Sequence, residues 1–173
     1  MFGVYENFPE MYHGIARFYC EALTNELQRA LLNCLCDMNR NEEELDLPEF
    51  GRDNIDVEVD FGIADGLTFN YLDKETLKHC QQMLGVQSFS VLDFLCIVRY
   101  YAIENDRRKP LRFDYHMLRF LFSEKEVELR VYHEKGTRRL SIEDLITLLT
   151  TKVNQILAKK KLIRLKTSNV HEP

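Results

Sequence analysis

The feature that most constrains the fold of this chain is a strict alternation of side chains over 55–61. Four apolar residues alternate there with the carboxylates Asp56, Glu58 and Asp60. A period of two residues is typical of a β-strand with one buried and one solvated face. A second apolar segment follows after a short loop that contains glycine. Because short connections join antiparallel strands, the sequence predicts a hairpin over 55–72.

A three-stranded meander is predicted in the second half of the chain. Residues 91–103 are rich in β-branched and aromatic side chains, which favour a strand, although Ser90 and Asp93 have the spacing of a helix cap. A strand is preferred because the next segment, 111–122, then offers an antiparallel partner in a register that places Arg99 opposite Asp114. The apolar parity of that segment changes near Met117, which predicts a bulge there.

The last two strands of the meander form a second hairpin, which turns at the polar loop 123–126. Joining the strands across this loop sets the register of the whole hairpin. His116 is then expected opposite His133, and Arg119 opposite Arg130.

Helical periodicity is found in three segments. Apolar residues recur at three- and four-residue steps from Pro9 to Asn39, and again in a helix that opens at Ser141. A shorter helix over 73–84 has an aspartate cap and a closing glycine. The predicted fold class is α+β in the order α-ββ-α-βββ-α, an antiparallel sheet of about five strands with the helices on one face.

The 173 residues, of which 45% are hydrophobic, suit a single domain over 1–173. Within it, 41–54 is expected to be an acidic connector and 162–173 a flexible tail. The five cysteines are odd in number and lie in apolar stretches, which is typical of reduced thiols. No apolar run is long enough to span a bilayer, and the first residues lack the pattern of a secretory signal. The predicted location is cytoplasmic, without membrane association.

Acidic and basic residues are divided between the two ends of the sequence. From Arg107 to Pro173 there are 16 Lys and Arg against 8 Asp and Glu, a balance of +8. Residues 1–106 carry 7 Lys and Arg against 20 Asp and Glu, a balance of −13, and the net charge is −5. Such a division is a cue to electrostatic pairing, either within the molecule or with a partner.

The basic part supplies a predicted anion-binding surface. Arg119 and Arg130 are expected to face each other, and like charges in that position call for an anion nearby. Glu128 or the acidic row of the first hairpin would serve from within the molecule, and an external anion is the alternative. Further cations flank the strands and are expected at one end of the sheet. The predicted anion-binding residues are Arg107, Arg108, Lys109, Arg112, Arg119, Arg130, Arg138 and Arg139.

Two groups of residues have the donor atoms of a metal site. The carboxylate row of the first hairpin could hold Mg²⁺ or Ca²⁺ if a loop supplied further oxygens. His116 and His133 could chelate a metal with Asp114 or a water as third ligand, or act as a pH-sensitive pair. Ordinary solvated side chains are the simpler interpretation in both cases, so no metal and no cofactor is assigned.

Two stretches of the sequence resemble conserved archaeal proteins of unknown function. They are 109–115, with the sequence KPLRFDY, and 128–139, with the sequence ELRVYHEKGTRR. The resemblance covers the C-terminal two thirds of the chain and implies a small α+β fold. It implies no activity, so it transfers no catalytic residue to this chain.

These features favour a non-catalytic binding module whose basic C-terminal hairpin engages an anionic partner, either RNA, DNA or an acidic protein surface. Interleaved tyrosines suit base stacking, whereas the glutamates around the hairpin interrupt a continuous basic groove. One alternative is self-association, in which the acidic part of one copy meets the basic part of another. The other is a metal-assisted hydrolase that uses the carboxylate row or the pair His116 and His133. No phosphate-binding loop or nucleophile elbow supports an enzyme.

Overall fold

The structure, a computed structural model, describes residues 1–39, 55–159 and 165–171. The predicted acidic connector at 41–54 lies outside the described residues. Eight strands and three helices are formed within the described ranges. In chain order they are β1 Gly14–Tyr19, α1 Thr24–Asn39, β2 Ile55–Asp65, β3 Thr68–Tyr71, α2 Lys74–Leu84, β4 Val91–Glu104, β5 Arg107–Pro110, β6 Asp114–Ser123, β7 Glu126–Lys135, α3 Ile142–Lys159 and β8 Lys166–His171.

The strands form one antiparallel sheet in the order β3-β2-β4-β6-β7-β1-β8. β5 pairs with β4 on the side that β6 occupies, so β5 and β6 lie end to end along β4. The α+β class with an antiparallel sheet is confirmed. The predicted element order is not, because the described chain runs β-α-ββ-α-ββββ-α-β and contains more than the five expected strands.

The prediction of one helix over 9–39 is wrong in its first half. Residues 14–19 form β1, and α1 starts only at Thr24. β1 lies between β7 and β8, and its Ile15 and Phe18, which point to opposite faces of the sheet, are each 2% exposed. A strand that is buried on both faces gives an apolar run without alternation, and such a short run fits a helical period equally well.

The segment 166–171, which the sequence assigns to a flexible tail, forms β8 along the outer side of β1. Ile15 pairs with His171, and Tyr19 pairs with Lys166. The sequence KTSNVH is mostly polar and has no apolar alternation. Periodicity therefore cannot identify it as a strand, because its place in the sheet comes from backbone pairing with an existing edge.

The predicted register of the second hairpin is confirmed. His116 pairs with His133, and Arg119 pairs with Arg130. The expected shift in register is present, but it falls between Tyr115 and His116 rather than at the predicted position. Residues 91–104 form the strand β4, so the prediction of a strand rather than a helix in this segment is confirmed.

The helices pack on one face of the sheet. Alternate strand residues supply the apolar surface, including Phe61, Phe94 and Leu118, which are fully buried. Leu31 of α1 and Leu149 of α3 belong to the same cluster of buried residues, and α2 lies beside α1. Removal of this apolar surface from water is the main stabilising contribution to the fold. No helix in the described part of the chain combines the length and apolarity needed to cross a membrane.

The opposite face of the sheet, named here the outer face, is crossed by the N-terminal segment, residues 1–13. The backbone of this segment enters between the ends of β2 and β4. The N–H of Gly3 donates to the Ala64 carbonyl at 2.7 Å, and the N–H of Asp93 donates to the Gly3 carbonyl at 2.7 Å. Gly3 has φ +87°, in the left-handed region that favours glycine. The segment then continues across the sheet to β7, where β1 begins.

A close approach of β1 to α3 generates the first prediction. A Cβ atom on Gly14 would lie 2.2 Å from Cγ2 of Ile142, so an alanine there would force the strand and the helix apart. We expect Gly14→Ala to lower the free energy of unfolding by about 1–3 kcal/mol, as overpacked cores do. Urea denaturation measures this loss.

Gly85→Ala is the matched control for this substitution. Gly85 caps α2 with φ −63°, and a Cβ there would make only ordinary contacts at 3.4 Å or more. We expect a change of less than about 1 kcal/mol, in the stabilising direction, because alanine restricts the unfolded chain. Equal stability of the two variants would contradict the close packing of β1 on α3.

Candidate functional site

The acidic row of β2 is paired with arginines on the outer face of the sheet. Arg99 on β4 forms an ion pair with Asp60. Arg108 on β5 pairs with Glu58 at 2.9 Å and reaches Asp56 at 3.4 Å. The row therefore does not offer a metal ion a group of unpaired carboxylates.

The like-charged pair Arg119 and Arg130 is neutralised from within the molecule. Arg119 donates two hydrogen bonds of 2.8 Å to the carboxylate of Asp93, its neighbour on β4. Arg130 donates to Glu128 at 2.8 Å, and Glu128 also accepts from Arg17 at 2.9 Å. Two internal anions were predicted for these arginines. Glu128 pairs with Arg130, whereas the acidic row of β2 pairs with neither arginine.

Asp93 is the buried charge of the outer face, with an exposed fraction of 0%. Its carboxylate also accepts the N–H of Tyr5 at 2.7 Å, and Arg119 donates to the Tyr5 carbonyl at 3.3 Å. The ring of Phe8 lies 4.3 Å from the guanidinium carbon of Arg119. The N-terminal segment thus encloses a bidentate ion pair, and such a pair is stronger than one exposed to water.

The division of charge along the sequence is therefore partly neutralised by ion pairs within the molecule. Acidic residues from the first part of the chain and basic residues from the second part lie side by side on the outer face. Arg108, Arg119 and Arg130, three of the eight predicted anion-binding residues, are engaged in these ion pairs. Each of the three has a carboxylate partner within the molecule, and Arg130 shares its partner Glu128 with Arg17.

The other five predicted anion-binding residues are exposed, and none of them has an ion pair among the described residues. They form what we call the basic end of the sheet, and they are Arg107, Lys109, Arg112, Arg138 and Arg139. The first two lie on β5, which pairs with the last residues of β4. Arg112 precedes β6, and the remaining two follow β7, so all five lie where β4 ends, β6 begins and β7 ends.

A buried carboxylate holds the loop 136–139 at this end of the sheet. The N–H of Arg138 donates to Oδ1 of Asp114 at 2.7 Å, and the N–H of Arg139 donates to Oδ2 at 3.2 Å. Gly136, with φ +118°, permits this approach, because a Cβ there would lie 2.2 Å from Oδ1. Arg138 has φ +53°, a turn that presents successive N–H groups to one anion. The loop is fixed while both arginine side chains stay exposed.

Asp114 accepts four hydrogen bonds at a position with no solvent exposure. Two come from the loop, and the others come from the hydroxyl of Tyr100 at 2.6 Å and from Nε2 of His133 at 3.1 Å. Burial raises the pKa of this carboxyl, but the hydrogen bonds from Tyr100, Arg138 and His133 outweigh burial and hold the pKa below its usual value. Burial and the contact with Asp114 raise the pKa of Tyr100, which also accepts the N–H of Leu140 at 2.8 Å.

His116 is fully buried beside this carboxylate. Neither of its ring nitrogens has a hydrogen-bond partner in the described part of the chain. Its ring centroid lies 5.0 Å from that of His133. Burial lowers the pKa of His116 to about 4, and the neighbouring His133 acts in the same direction. Donor atoms of Asp114, His116 and His133 lie within 4.8 Å of one another, so the structure brings the predicted histidine pair together with its third residue.

His13 extends this cluster toward the surface. Its Nδ1 accepts the backbone N–H of His133 at 2.9 Å, and its ring stacks on Tyr132 with centroids 4.8 Å apart. Partial burial lowers the pKa of His13, and the nearby Arg138 and His133 add to the shift.

An exposed aromatic side chain adjoins the basic end. Phe113 is 44% exposed, follows Arg112 in the sequence and contacts the ring of Tyr115 edge-on at 5.4 Å. Aromatic and arginine side chains are enriched in protein interfaces, so this ring and Arg112 suit a contact surface.

Sequence reasoning missed two residues that organise this region, Asp93 and Tyr100. Both depend on the register of β4 with β6, which is predicted with Arg99 opposite Asp114 but is one residue out, since Asp114 pairs with Val98. The correct register places Asp93 opposite Arg119 and would have identified the ion pair. The partners of Tyr100 come from a loop and a strand end, where no periodic signal exists.

No protein-family model matches the sequence, and no curated protein matches it either. Among solved structures, the chain is similar to the 1.75 Å crystal structure of the toxic C-terminal tip of CdiA from Pseudomonas aeruginosa in complex with an immune protein. The sequences are 14% identical, the match covers 94% of this chain and 86% of that chain, and the TM-score is 0.31. A likeness at that score supports no inference about this chain.

The buried ion pair generates the second prediction. Arg119→Ala removes the guanidinium and leaves the carboxylate of Asp93 buried without its counter-charge. We expect the free energy of unfolding to fall by about 3–5 kcal/mol, the range for breaking one side of a buried pair. Guanidinium chloride denaturation measures the loss.

Arg99→Ala provides the comparison for this variant. Arg99 is 42% exposed and pairs with Asp60 at the surface, so we expect a loss of less than about 1 kcal/mol. If Arg119→Ala were no more destabilising than Arg99→Ala, the outer face would not depend on the buried pair.

Proposed function

We propose that this protein is a non-catalytic binding module whose basic end engages an acidic protein surface. One observation carries the proposal. Five exposed cations without an ion pair in the described residues lie at one end of the sheet, while the other three predicted anion-binding arginines are matched by carboxylates. Cations left unmatched at one place form the surface that an anionic partner would contact.

The way these cations are held favours recognition by carboxylates. Arg138 and Arg139 extend from a loop whose backbone is fixed by Asp114, so little backbone freedom is lost on binding. A guanidinium group can donate two parallel hydrogen bonds to one carboxylate. The exposed ring of Phe113 supplies an apolar contact beside Arg112, and both residue types are enriched in protein interfaces.

The surroundings favour an acidic protein over a nucleic acid. Exposed Glu104, Asp106 and Glu134 interrupt the positive surface that a phosphate backbone would follow. A partner with a few discrete carboxylates meets five discrete cations with less repulsion, and the charge match would mainly raise the association rate and the specificity.

Charge-removal variants test this function. Fluorescein-labelled polyglutamate stands in for an acidic protein surface, and labelled RNA and DNA oligomers represent the other polyanions. We expect polyglutamate to bind the native chain at low salt and to bind less tightly as salt screens the charges. The double substitution Arg112→Ala with Arg138→Ala should weaken binding by about tenfold or more, which corresponds to about 1.4 kcal/mol. Fluorescence anisotropy measures each affinity.

The double substitution Lys74→Ala with Lys78→Ala is the matched control, because it also removes two exposed cations and both lie on α2, away from the basic end. It should bind polyglutamate like the native chain. Equal loss in this control and in the arginine double variant would overturn the basic end as the binding surface. Tighter binding of RNA or DNA than of polyglutamate, lost in the arginine double variant, would overturn the acidic-protein partner in favour of a nucleic acid.

A further inference from the structure

We propose that Asp114, His116 and His133 form a binding site for one divalent transition-metal ion of the zinc class. A carboxylate oxygen and two imidazole nitrogens lie within 4.8 Å of one another. A four-coordinate zinc ion has ligands at about 2.1 Å, which places neighbouring ligand atoms about 3.4 Å apart. The contact between Asp114 and His133, at 3.1 Å, already has close to that spacing.

The sheet itself aligns the three donors. His116 and His133 are a direct cross-strand pair of β6 and β7, so their side chains lie on the same face of the sheet. Asp114 is two residues before His116 on the same strand, and side chains two residues apart share a face. The donors therefore converge through strand register, and no loop has to close over the site.

The unpartnered imidazole of His116 is the observation that points to a ligand. The side chain is fully buried, and neither ring nitrogen has a hydrogen-bond partner in the described residues. Native proteins rarely leave buried polar atoms unsatisfied, and each such group calls for an explanation. A cation shared with Asp114 and His133 would satisfy one nitrogen of this ring.

The donor set selects the class of ion. Mg²⁺ and Ca²⁺ prefer oxygen ligands, whereas imidazole suits zinc, cobalt, nickel and copper. Three protein ligands leave a fourth position for water or another small ligand. A single carboxylate leaves the bound ion with a net positive charge, so we expect weaker binding than at sites with several thiolate or carboxylate ligands.

The carboxylate is already oriented by outer contacts. Tyr100 and the N–H groups of Arg138 and Arg139 donate to it, and such outer hydrogen bonds fix the position of metal ligands. On binding, coordination of the ion by both atoms replaces the contact between Nε2 of His133 and Oδ1 of Asp114. The ring of His133 then carries its single proton on Nδ1. Its side chain is 10% exposed, which gives the site access to the surface.

Metal titration of the full chain tests the proposal. The protein is freed of metal with a chelator, dialysed and titrated with Co²⁺, and Zn²⁺ is then added. We expect one equivalent of Co²⁺ to bind with the visible absorption bands of a four-coordinate ion, and Zn²⁺ to displace it. Zn²⁺ at one hundred times its Kd should raise the Tm by about 5 °C or more.

Histidine variants locate the site. His116→Gln and His133→Gln should each weaken Zn²⁺ binding by more than the ~10–100-fold that changes in outer contacts cause. Should His116→Gln fail to fold, the partly exposed His133 supplies the second ligand variant. His79→Gln is the matched control, because His79 is an exposed histidine of α2 and lies outside the donor set. It should bind Zn²⁺ within a few-fold of the native chain.

The outcomes separate clearly. Loss of binding in both ligand variants, with retention in His79→Gln, supports the site. Failure of the native chain to bind Co²⁺ or Zn²⁺ overturns it. Retention of full affinity in His116→Gln and His133→Gln also overturns it, because the ion would then be held by other groups, such as cysteines. None of these results bears on the charge-removal variants at the basic end.

Discussion

Both candidate sites depend on the hydrogen bonds that the buried carboxylate of Asp114 accepts. It joins β4 through Tyr100, β7 through His133 and the loop 136–139 through two backbone N–H groups. Because those hydrogen bonds keep the buried group ionised, a fixed negative charge lies beneath an exposed cluster of cations. The same group presents the basic loop to solvent and stands beside the unpartnered ring of His116. One buried charge thus positions a surface for anions and a set of donors for a cation.

On the outer face, the order of the strands in the sheet determines which acidic and basic residues of the sequence lie together. The acidic residues of β2 and the arginines of β5, β6 and β7 are separated in the chain but lie beside or near β4 in the sheet. Asp93 and Arg119 meet there under the N-terminal segment, and exposed pairs such as Arg108 with Glu58 surround them. Exposed pairs add little stability, so the enclosed pair dominates the energetics of this face. Among the predicted anion-binding residues, those that have no ion pair in the described part of the chain lie at the basic end.

Sequence periodicity predicted the strands that have one buried and one solvated face. β2, β6 and β7 alternate between a buried and a solvated face, so their periodicity and the pairing of His116 with His133 could be read directly. β1 is buried on both faces and β8 is mostly polar, so neither carries a period that separates strand from other structure. The histidine pair was predicted because it depends on one hairpin. Asp93 and Tyr100 were missed because their roles depend on the register of β4 with β6, which was predicted one residue out.

The position of β1 has a consequence for how the molecule is made. This strand pairs with β7 and β8, so Ile15 can form its cross-strand contacts only after Arg130 and His171 have been synthesised. Contacts so distant in sequence are slow to form, because the entropy of closing the loop is lost before any contact compensates for it. During synthesis the first strand leaves the ribosome with both of its edges unpaired. The sheet closes around it only once residues 166–171 have emerged, and apolar surface and unpaired edges that are exposed until then are prone to aggregation.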